Sequence, residues 1–127
     1  MEDRQFDDGW VSRNFREHEL ACPCCGKYIH NQRLILSLEK LRRLAGNVPV
    51  SITSGTRCRD YNDSVGGVDQ SRHLTGEAAD VVVQGLHPEE IHTLISAIEP
   101  FSHGGVGTYS SFTHLDVRYG GPARWHG

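Results

Sequence analysis

A short apolar run with a carboxylate inside it most constrains how this chain can fold. Residues 78–83 read Ala-Ala-Asp-Val-Val-Val and follow the glycine-containing loop of Gly76, a pattern that predicts a buried strand. Burial of an unpaired carboxylate is very unfavourable, so a residue in the position of Asp80 normally holds a cation or a dense set of hydrogen-bond donors. The run therefore predicts a core strand that carries a polar site.

Two histidines offer further ligands of the type that zinc prefers. His73 stands seven positions before Asp80, and His114 lies in a second strand-like run, residues 111–118. Two histidines and one aspartate leave the fourth position of a zinc ion open, which is typical of a catalytic metal site. The alternative is that Asp80 is a satisfied buried acid and the histidines are unrelated, because eight histidines in 127 residues make chance spacings common.

The residues around these ligands carry a family resemblance. The motif Ser71-x-His73-x-x-Gly76-x-Ala78-x-Asp80, preceded by Ser54-Gly55-Thr56-Arg57 and followed by His114, resembles the zinc D-Ala-D-Ala carboxypeptidases and murein endopeptidases of peptidase group M15. The similarity runs from about Asn14 to Trp125, and the chain looks most like the small phage and prophage members. This group shares its fold with the hedgehog signalling domain.

The resemblance implies a fold, a cofactor and a reaction. The implied fold is α+β, a single domain whose antiparallel sheet is packed by helices on one side. A catalytic Zn²⁺ is implied at His73, Asp80 and His114, where it would lower the pKa of a bound water to about 7. The implied reaction is hydrolysis of D-amino-acid-containing peptide bonds of bacterial peptidoglycan, by a D-Ala-D-Ala carboxypeptidase or a murein endopeptidase.

Arg57 and Ser71 are the predicted substrate contacts. By resemblance, Arg57 binds a substrate carboxylate or orients the scissile carbonyl, and its planar guanidinium grips anions with paired donors that lysine cannot reproduce. An exposed arginine at the end of a strand is the structural alternative. Ser71 would add a hydrogen bond to the same substrate group, although a loop-capping role for this serine is nearly as well supported.

The general base is where the chain departs from the best-known relatives. These carry an acid three residues before the last histidine ligand, where this chain has Ser111. The lysostaphin-like relatives instead carry a histidine two residues before it, where this chain has Phe112. Asp116 shares a strand face with His114, so it could reach a catalytic water or hold the ligand in place. The alternative is a purely structural role, in which Asp116 forms an ion pair with Arg118 or Arg124. His103 is the second candidate for proton transfer.

Four cysteines stand outside the motif: Cys22, Cys24, Cys25 and Cys58. With no signal peptide in the sequence, reduced thiols are the default expectation. Three interpretations stay open: free buried thiols, a disulfide such as Cys25 to Cys58 after export, or a second, structural Zn²⁺ at Cys22, Cys25 and Cys58. In the zinc interpretation Cys24 could replace Cys25, and His30 is the candidate fourth ligand.

Composition bounds the organisation and the partners of the chain. Its length fits one domain, predicted at residues 14–127 behind a weakly ordered arm at residues 1–13. A net charge of −3 gives no basic footprint for nucleic acid, and no apolar run reaches membrane-spanning length. The partner that the resemblance implies is a peptidoglycan peptide, and we expect the chain to be a monomer. The acidic N-terminus lacks the apolar core of a secretory signal, so we expect cytoplasmic synthesis followed by release, export or phage lysis.

Hydrophobic spacing predicts two core helices and three strands. Leucines recur at helical spacing over residues 33–45, and Pro88 with two glutamates starts a second helix that carries an isoleucine and leucine stripe. Strands are predicted at residues 48–53, 78–83 and within 111–118, with a loop or short helix at 59–65. Neither core helix is assigned any chemistry.

A second class of function stays open. A murein-binding or structural module could retain zinc without catalysis, as in the hedgehog domain, and the missing acid before His114 is the best argument for it. Arg57, Ser71 and the full ligand set argue against it, because a non-catalytic module has no need of substrate-orienting groups. Murein binding without turnover in the presence of added zinc would favour the module.

Overall fold

The computed structural model describes residues 9–127. Its four helices are α1 (Glu17–Leu20), α2 (Gln32–Leu44), α3 (Arg59–Ser64) and α4 (Pro88–Ile95). Its five strands are β1 (Val50–Ser54), β2 (Ala78–Val83), β3 (Gly105–Thr108), β4 (Thr113–Asp116) and β5 (Ala123–His126). Two 3₁₀ turns, Arg72–Thr75 and Phe101–His103, precede β2 and β3. Over these residues, the helices are too short and too polar for any of them to cross a bilayer.

The five strands form one sheet in the order β1-β2-β4-β3-β5. The β1–β2, β2–β4 and β3–β4 pairs are antiparallel, and β5 pairs with β3 in parallel at the edge. The predicted α+β class and antiparallel sheet are therefore confirmed, with one parallel pair that the sequence did not indicate.

The two long helices form where the leucine and isoleucine patterns predict them. Helix α2 begins at an asparagine cap, since the side chain of Asn31 accepts from the Leu34 backbone N–H at 3.0 Å. Helix α4 has Pro88 in its first turn, and the Glu90 carboxylate accepts from the His87 backbone N–H at 2.7 Å. Both helices bury their apolar stripes against the sheet; the core they build includes Leu34, Leu38, Leu41, Ile91 and Ile95.

Alternation along the strands separates the core from the candidate site. Ala79, Val81 and Val83 of β2 point into the helix-covered core, where Leu115 of β4 joins them. Because successive side chains of a strand face opposite sides of the sheet, Asp80 lies on the face away from that core. The Asp80 carboxylate therefore lies on the opposite face of the sheet from its apolar neighbours in the sequence.

The entry segment is held to α2 by one buried carboxylate. Glu39 accepts from the Ser12 hydroxyl at 2.5 Å, from the Asn14 backbone N–H at 2.8 Å and from the Asn14 side-chain amide at 2.6 Å. Of the predicted arm, residues 1–8 lie outside the described residues. Within the remainder, Trp10 forms a β-bridge with Arg16, and Val11 packs against the core.

Candidate metal centre

The three ligands predicted from the sequence lie together on the open face of the sheet. The Asp80 Oδ1 atom is 3.1 Å from His73 Nε2 and 3.1 Å from His114 Nδ1, and all three ligand atoms lie within 4.8 Å of one another. In a tetrahedral zinc site with bonds of about 2.0–2.1 Å, neighbouring ligand atoms are about 3.3 Å apart. The donor set and its spacing therefore fit zinc, and these residues could hold a metal ion.

Strand pairing and a short capped turn bring these ligands to one point. Asp80 of β2 is directly opposite His114 of β4 in the sheet register. His73 reaches them from the 3₁₀ turn, where the Ser71 hydroxyl accepts from the His73 backbone N–H at 3.2 Å. Gly76 ends the turn with a left-handed φ of 76°, which glycine adopts without the steric cost of other residues. The loop-capping role of Ser71 is thus present, and Ser71 also lines the cleft described below.

Each imidazole is fixed by a partner on its outer nitrogen. His73 Nδ1 lies 2.7 Å from the carbonyl oxygen of Gly55, which can only accept, so Nδ1 carries the proton and Nε2 presents a lone pair. His114 Nε2 lies 2.8 Å from the Asp116 carboxylate, which leaves Nδ1 to face Asp80. The two histidines therefore turn opposite ring nitrogens toward the centre, and second partners set both orientations.

Asp116 is fully buried behind His114. Its Oδ1 accepts from the backbone N–H of Gly105 at 2.8 Å and from the backbone and Nε of Arg118 at 3.2 and 2.9 Å. Its Oδ2 accepts from His114 Nε2 and from Arg118 Nη2, both at 2.8 Å. With no exposed surface, Asp116 is placed to hold the ligand and to pair with Arg118, and the geometry does not favour contact with a catalytic water.

Mutual hydrogen bonding keeps both acids charged. Burial alone would raise the pKa of Asp80, but hydrogen bonds from His114 and His73 hold that pKa well below its usual range. Burial acts in the same direction on Asp116, where Arg118 and His114 hold the pKa well below its usual range. Burial would lower the pKa of His114, yet its two carboxylate partners raise it.

All three guanidinium nitrogens of Arg57 donate hydrogen bonds, and one of them contacts the ligand candidate Asp80. Nε donates to the Ser54 hydroxyl at 3.1 Å, Nη1 to the Asn62 side chain at 3.0 Å, and Nη2 to Asp80 Oδ2 at 3.3 Å. Only 13% of its side chain is exposed, so the picture of an exposed arginine at a strand end does not describe it. Arg57 both orients Asp80 and faces the cleft.

The three ligands open onto a cleft of about 690 Å³. Its rim carries the guanidinium groups of Arg57, Arg72 and Arg118, and Asp80 is the one carboxylate-bearing residue among the described residues that line it. Each arginine is also paired with an acid: Arg57 with Asp80, Arg72 with Glu77, and Arg118 with Asp116. A ligand carboxylate in the cleft would therefore share these guanidinium groups with the three acids.

An aromatic wall of Tyr109, Phe112 and Trp125 closes one side of the cleft, and sequence reasoning missed it. The rings of Tyr109 and Phe112 stack with centroids 4.4 Å apart, and Trp125 Nε1 donates to the Tyr109 hydroxyl at 2.9 Å. The Trp125 ring lies 5.1 Å from that of His114. These contacts place an apolar surface beside the metal ligands.

Two glycines of β3 make room for large side chains of the neighbouring strands, and Gly107 was the available signal for the aromatic wall. Gly107 stands between His114 and Trp125 in one row across the sheet, and a Cβ atom there would overlap the Trp125 indole. Gly105 stands next to Asp116, and a Cβ atom there would overlap its carboxylate. Glycines two positions apart on one face of a strand thus indicate that large side chains of the neighbouring strands lie over that strand.

The structure does not bring His103 to this cleft. Its imidazole is exposed and lies 3.3 Å from the Glu99 carboxylate, and His103 is not among the residues lining the cleft in the described part of the chain. Of the two predicted proton-transfer residues, one therefore lies behind a ligand and the other on the outer surface.

The four cysteines form a second cluster. None of them is disulfide-bonded, and the four sulfur atoms lie within 4.8 Å of one another. Burial raises the pKa of the Cys22 thiol, but backbone N–H groups of Cys58, Cys24 and Cys25 outweigh it and bring the pKa to about 6. His30 is not part of this cluster, because its ring is engaged by the Tyr28 hydroxyl at 2.7 Å and by the Gln32 side chain at 2.9 Å.

Comparison with known proteins yields one match and one negative result. A family model described as Peptidase M15 matches residues 12–116. No curated protein sequence matches the chain. The matched range contains the three ligand candidates, Arg57 and Asp116, and it ends before Trp125.

Proposed function

The chain belongs to the peptidase M15 family, and from this premise we propose that it is a zinc-dependent hydrolase of D-amino-acid-containing peptide bonds in bacterial peptidoglycan. Membership of the family implies a metallopeptidase. The observation that carries the proposal is the ligand trio His73, Asp80 and His114, in which one ring nitrogen of each histidine lies 3.1 Å from Asp80 Oδ1. The open cleft beside it leaves room for a peptide.

The ligand trio has the composition of a catalytic zinc site. His73, Asp80 and His114 would hold the ion, and three protein ligands leave a position for water or substrate. Zinc bound there supplies a Lewis acid that polarises a scissile carbonyl and lowers the pKa of water to about 7. The chain's own contribution is to fix the ligands, which Gly55, Asp116 and Arg57 do through the hydrogen bonds described above.

The charged rim supports a substrate with carboxylates near the bond that is cut. A guanidinium presents paired, planar donors to a carboxylate, and Arg57, Arg72 and Arg118 all line the cleft. Stem peptides of peptidoglycan carry such groups at their terminal D-Ala and at their acidic side chains. We assign Arg57 to the substrate group nearest the ligands, because it contacts Asp80 directly. The Ser71 hydroxyl, whose lone pair is used by His73, retains a proton to donate to the same group.

The aromatic wall supports a small apolar side chain on the substrate. The stacked rings of Tyr109 and Phe112 and the indole of Trp125 offer flat apolar surface beside His114. A D-Ala methyl group would lose its hydration on contact with this wall at little conformational cost. This contact is the substrate role proposed for the three aromatic residues.

A defined muropeptide with a terminal D-Ala-D-Ala tests the proposal. With added zinc, we expect product masses that differ by one D-Ala for a carboxypeptidase, or two peptide fragments for an endopeptidase. His73→Ala and chelation should each abolish product, and zinc should restore the chelated protein but not the variant. His18→Ala, at an exposed histidine of α1, is the matched control and should keep full activity. Unchanged turnover in His73→Ala would rule the proposal out.

A second function is favoured by one specific observation. Asp116 and His103, the predicted bases, do not reach the cleft, and Asp80 is itself a ligand candidate. A zinc-containing module that binds murein without cutting it accounts for this arrangement. If the protein sedimented with purified murein in the presence of zinc and released no peptide, the binding module would be favoured over the peptidase.

A further inference from the structure

The cysteine cluster has the dimensions of a metal-thiolate site. The Sγ atom of Cys58 is 3.7 Å from that of Cys22 and 3.7 Å from that of Cys24. Four sulfurs at the zinc–sulfur distance of about 2.3 Å, at the corners of a tetrahedron, are about 3.8 Å apart. A disulfide instead requires two sulfurs at about 2.05 Å. The observed separations match the edge of the tetrahedron and are far too long for an S–S bond.

From this geometry we propose that Cys22, Cys24, Cys25 and Cys58 bind one structural Zn²⁺, separate from the ion proposed at the cleft. All four sulfurs lie within 4.8 Å of one another, so they can share one ion. A four-thiolate set is the closed coordination of structural zinc, which leaves no position for substrate. Soft thiolate ligands also disfavour magnesium and calcium.

The backbone of residues 22–27 is shaped to present three of these sulfurs. The Cys22 N–H donates to the Lys27 carbonyl at 2.8 Å, and the Gly26 N–H donates back to the Cys22 carbonyl at 2.8 Å. Gly26 has a left-handed φ of 79°, which closes this tight turn. Pro23 restricts the backbone inside it. The turn is therefore stabilised by hydrogen bonds within residues 22–27, and it brings the sulfurs of Cys22, Cys24 and Cys25 close together.

The fourth sulfur arrives from the start of α3. Cys58 is the N-cap of that helix, and its Sγ accepts from the Tyr61 backbone N–H at 3.4 Å. This bond orients the sulfur toward the turn at residues 22–27. An ion held by all four cysteines would join two parts of the chain that are 36 positions apart.

The cluster is positioned to brace the loop that serves the cleft. Residues 55–58 supply the Gly55 carbonyl that orients His73 and the Arg57 guanidinium that contacts Asp80. The same loop is already tied to α1 by the bond from the Thr56 N–H to the Leu20 carbonyl at 2.7 Å. A metal at Cys58 would restrain this loop from its other end. The structural zinc would therefore affect catalysis only by holding the loop at residues 55–58 in position.

The experiment counts zinc per chain in five proteins grown with ample zinc. We expect two ions in the wild type, one in His73→Ala, one in Cys58→Ser and none in the double variant. His30→Ala is the matched control, since His30 is nearby but bonded to Tyr28 and Gln32, and it should keep both ions. If the ion at the cleft were absent, His73→Ala would match the wild type while Cys58→Ser still lost one ion. The two proposals therefore fail in distinguishable ways.

X-ray absorption at the zinc edge of His73→Ala identifies the ligands of the cysteine-bound zinc. This variant keeps all four cysteines, so the result does not depend on whether Cys58→Ser folds. We expect a shell of four sulfurs at about 2.3 Å and no nitrogen. Cobalt added to the metal-free His73→Ala protein should produce the intense visible absorption of tetrahedral cobalt thiolate at one equivalent. A zinc-free His73→Ala protein, or two reactive thiols in place of four after denaturation, would overturn the proposal.

Discussion

Replacing Asp116 by asparagine isolates the part that this buried carboxylate plays in metal binding. The oxygen of an asparagine side chain would keep the Oδ1 position, where Gly105 and Arg118 donate three hydrogen bonds. The amide nitrogen would then take the Oδ2 position and point an N–H at His114 Nε2. His114 can only accept there by moving its proton to Nδ1, the atom that faces Asp80. The variant thus favours the tautomer that cannot bind a metal.

The expected loss of zinc affinity follows from that tautomer change. Substitution of a group that orients a metal-ligating histidine typically lowers affinity by about 10- to 100-fold. This range corresponds to about 1.4–2.8 kcal/mol of binding free energy. The metal-free protein should also lose stability, because Arg118 keeps its charge without a carboxylate partner. We expect about 3 kcal/mol, the low end for a broken buried pair, since the Arg118 side chain is 22% exposed.

Competition with a chromophoric chelator measures the affinity, and urea unfolding of the metal-free proteins measures the stability. Glu39→Gln is the matched control: it also neutralises a buried carboxylate with three donors, and those donors come from Ser12 and Asn14 in the entry segment. We expect this control to lose about 1.5–3 kcal/mol of stability and no zinc affinity. Equal zinc affinity of Asp116→Asn and Glu39→Gln would refute the positioning role and leave Asp116 as scaffold.

Three further substitutions test the cleft and the core. Gly107→Ala should cost about 1–3 kcal/mol in urea unfolding and shift the Trp125 fluorescence, because the new methyl group overlaps the indole; an unchanged spectrum would contradict the glycine argument. Arg57→Lys should lower kcat/KM about 100-fold when it is assayed at saturating zinc, since a lysine ammonium cannot present the paired planar donors of a guanidinium; wild-type kinetics would remove Arg57 from substrate binding. Leu38→Ala should destabilise by about 2–5 kcal/mol, against less than about 0.5 for the exposed Leu36→Ala, and similar values for both would contradict the assigned core.

Hydrophobic pattern and ligand chemistry were sufficient to predict the central part of the fold. The helix predicted at residues 33–45 is observed at Gln32–Leu44, and the strand predicted at 78–83 is observed at Ala78–Val83. These elements are long or strongly apolar, so the periodicity of their side chains is clear. A carboxylate in such a strand needs a physical reason to be there, and this drew attention to Asp80. The family resemblance then assigned Asp80, His73 and His114 to zinc, and the structure brings the three side chains together.

The edge strands and the aromatic wall could not be predicted in the same way. Strand β3 contains glycines, which have a low strand propensity. Strand β5 lies in the glycine-rich C-terminal segment and pairs in parallel with β3 rather than with β4, the strand before it in sequence. Trp125 reaches the cleft only through that pairing. The place of His103 on the outer surface likewise depends on the turn before β3, whose direction the residues alone do not specify.

The two proposed metal sites differ in how far apart their ligands lie along the chain, and therefore in when each site could take up an ion. Three of the four cysteines lie within residues 22–25, so even a nascent, unstructured chain could capture a thiophilic ion with little loop-closure entropy. His73 and His114 are 41 positions apart and meet only after β2 has paired with β4. With zinc bound as proposed, capture at the first cluster could therefore begin during synthesis and be completed when Cys58 joins, whereas the cleft could be filled only by a chain that has already folded.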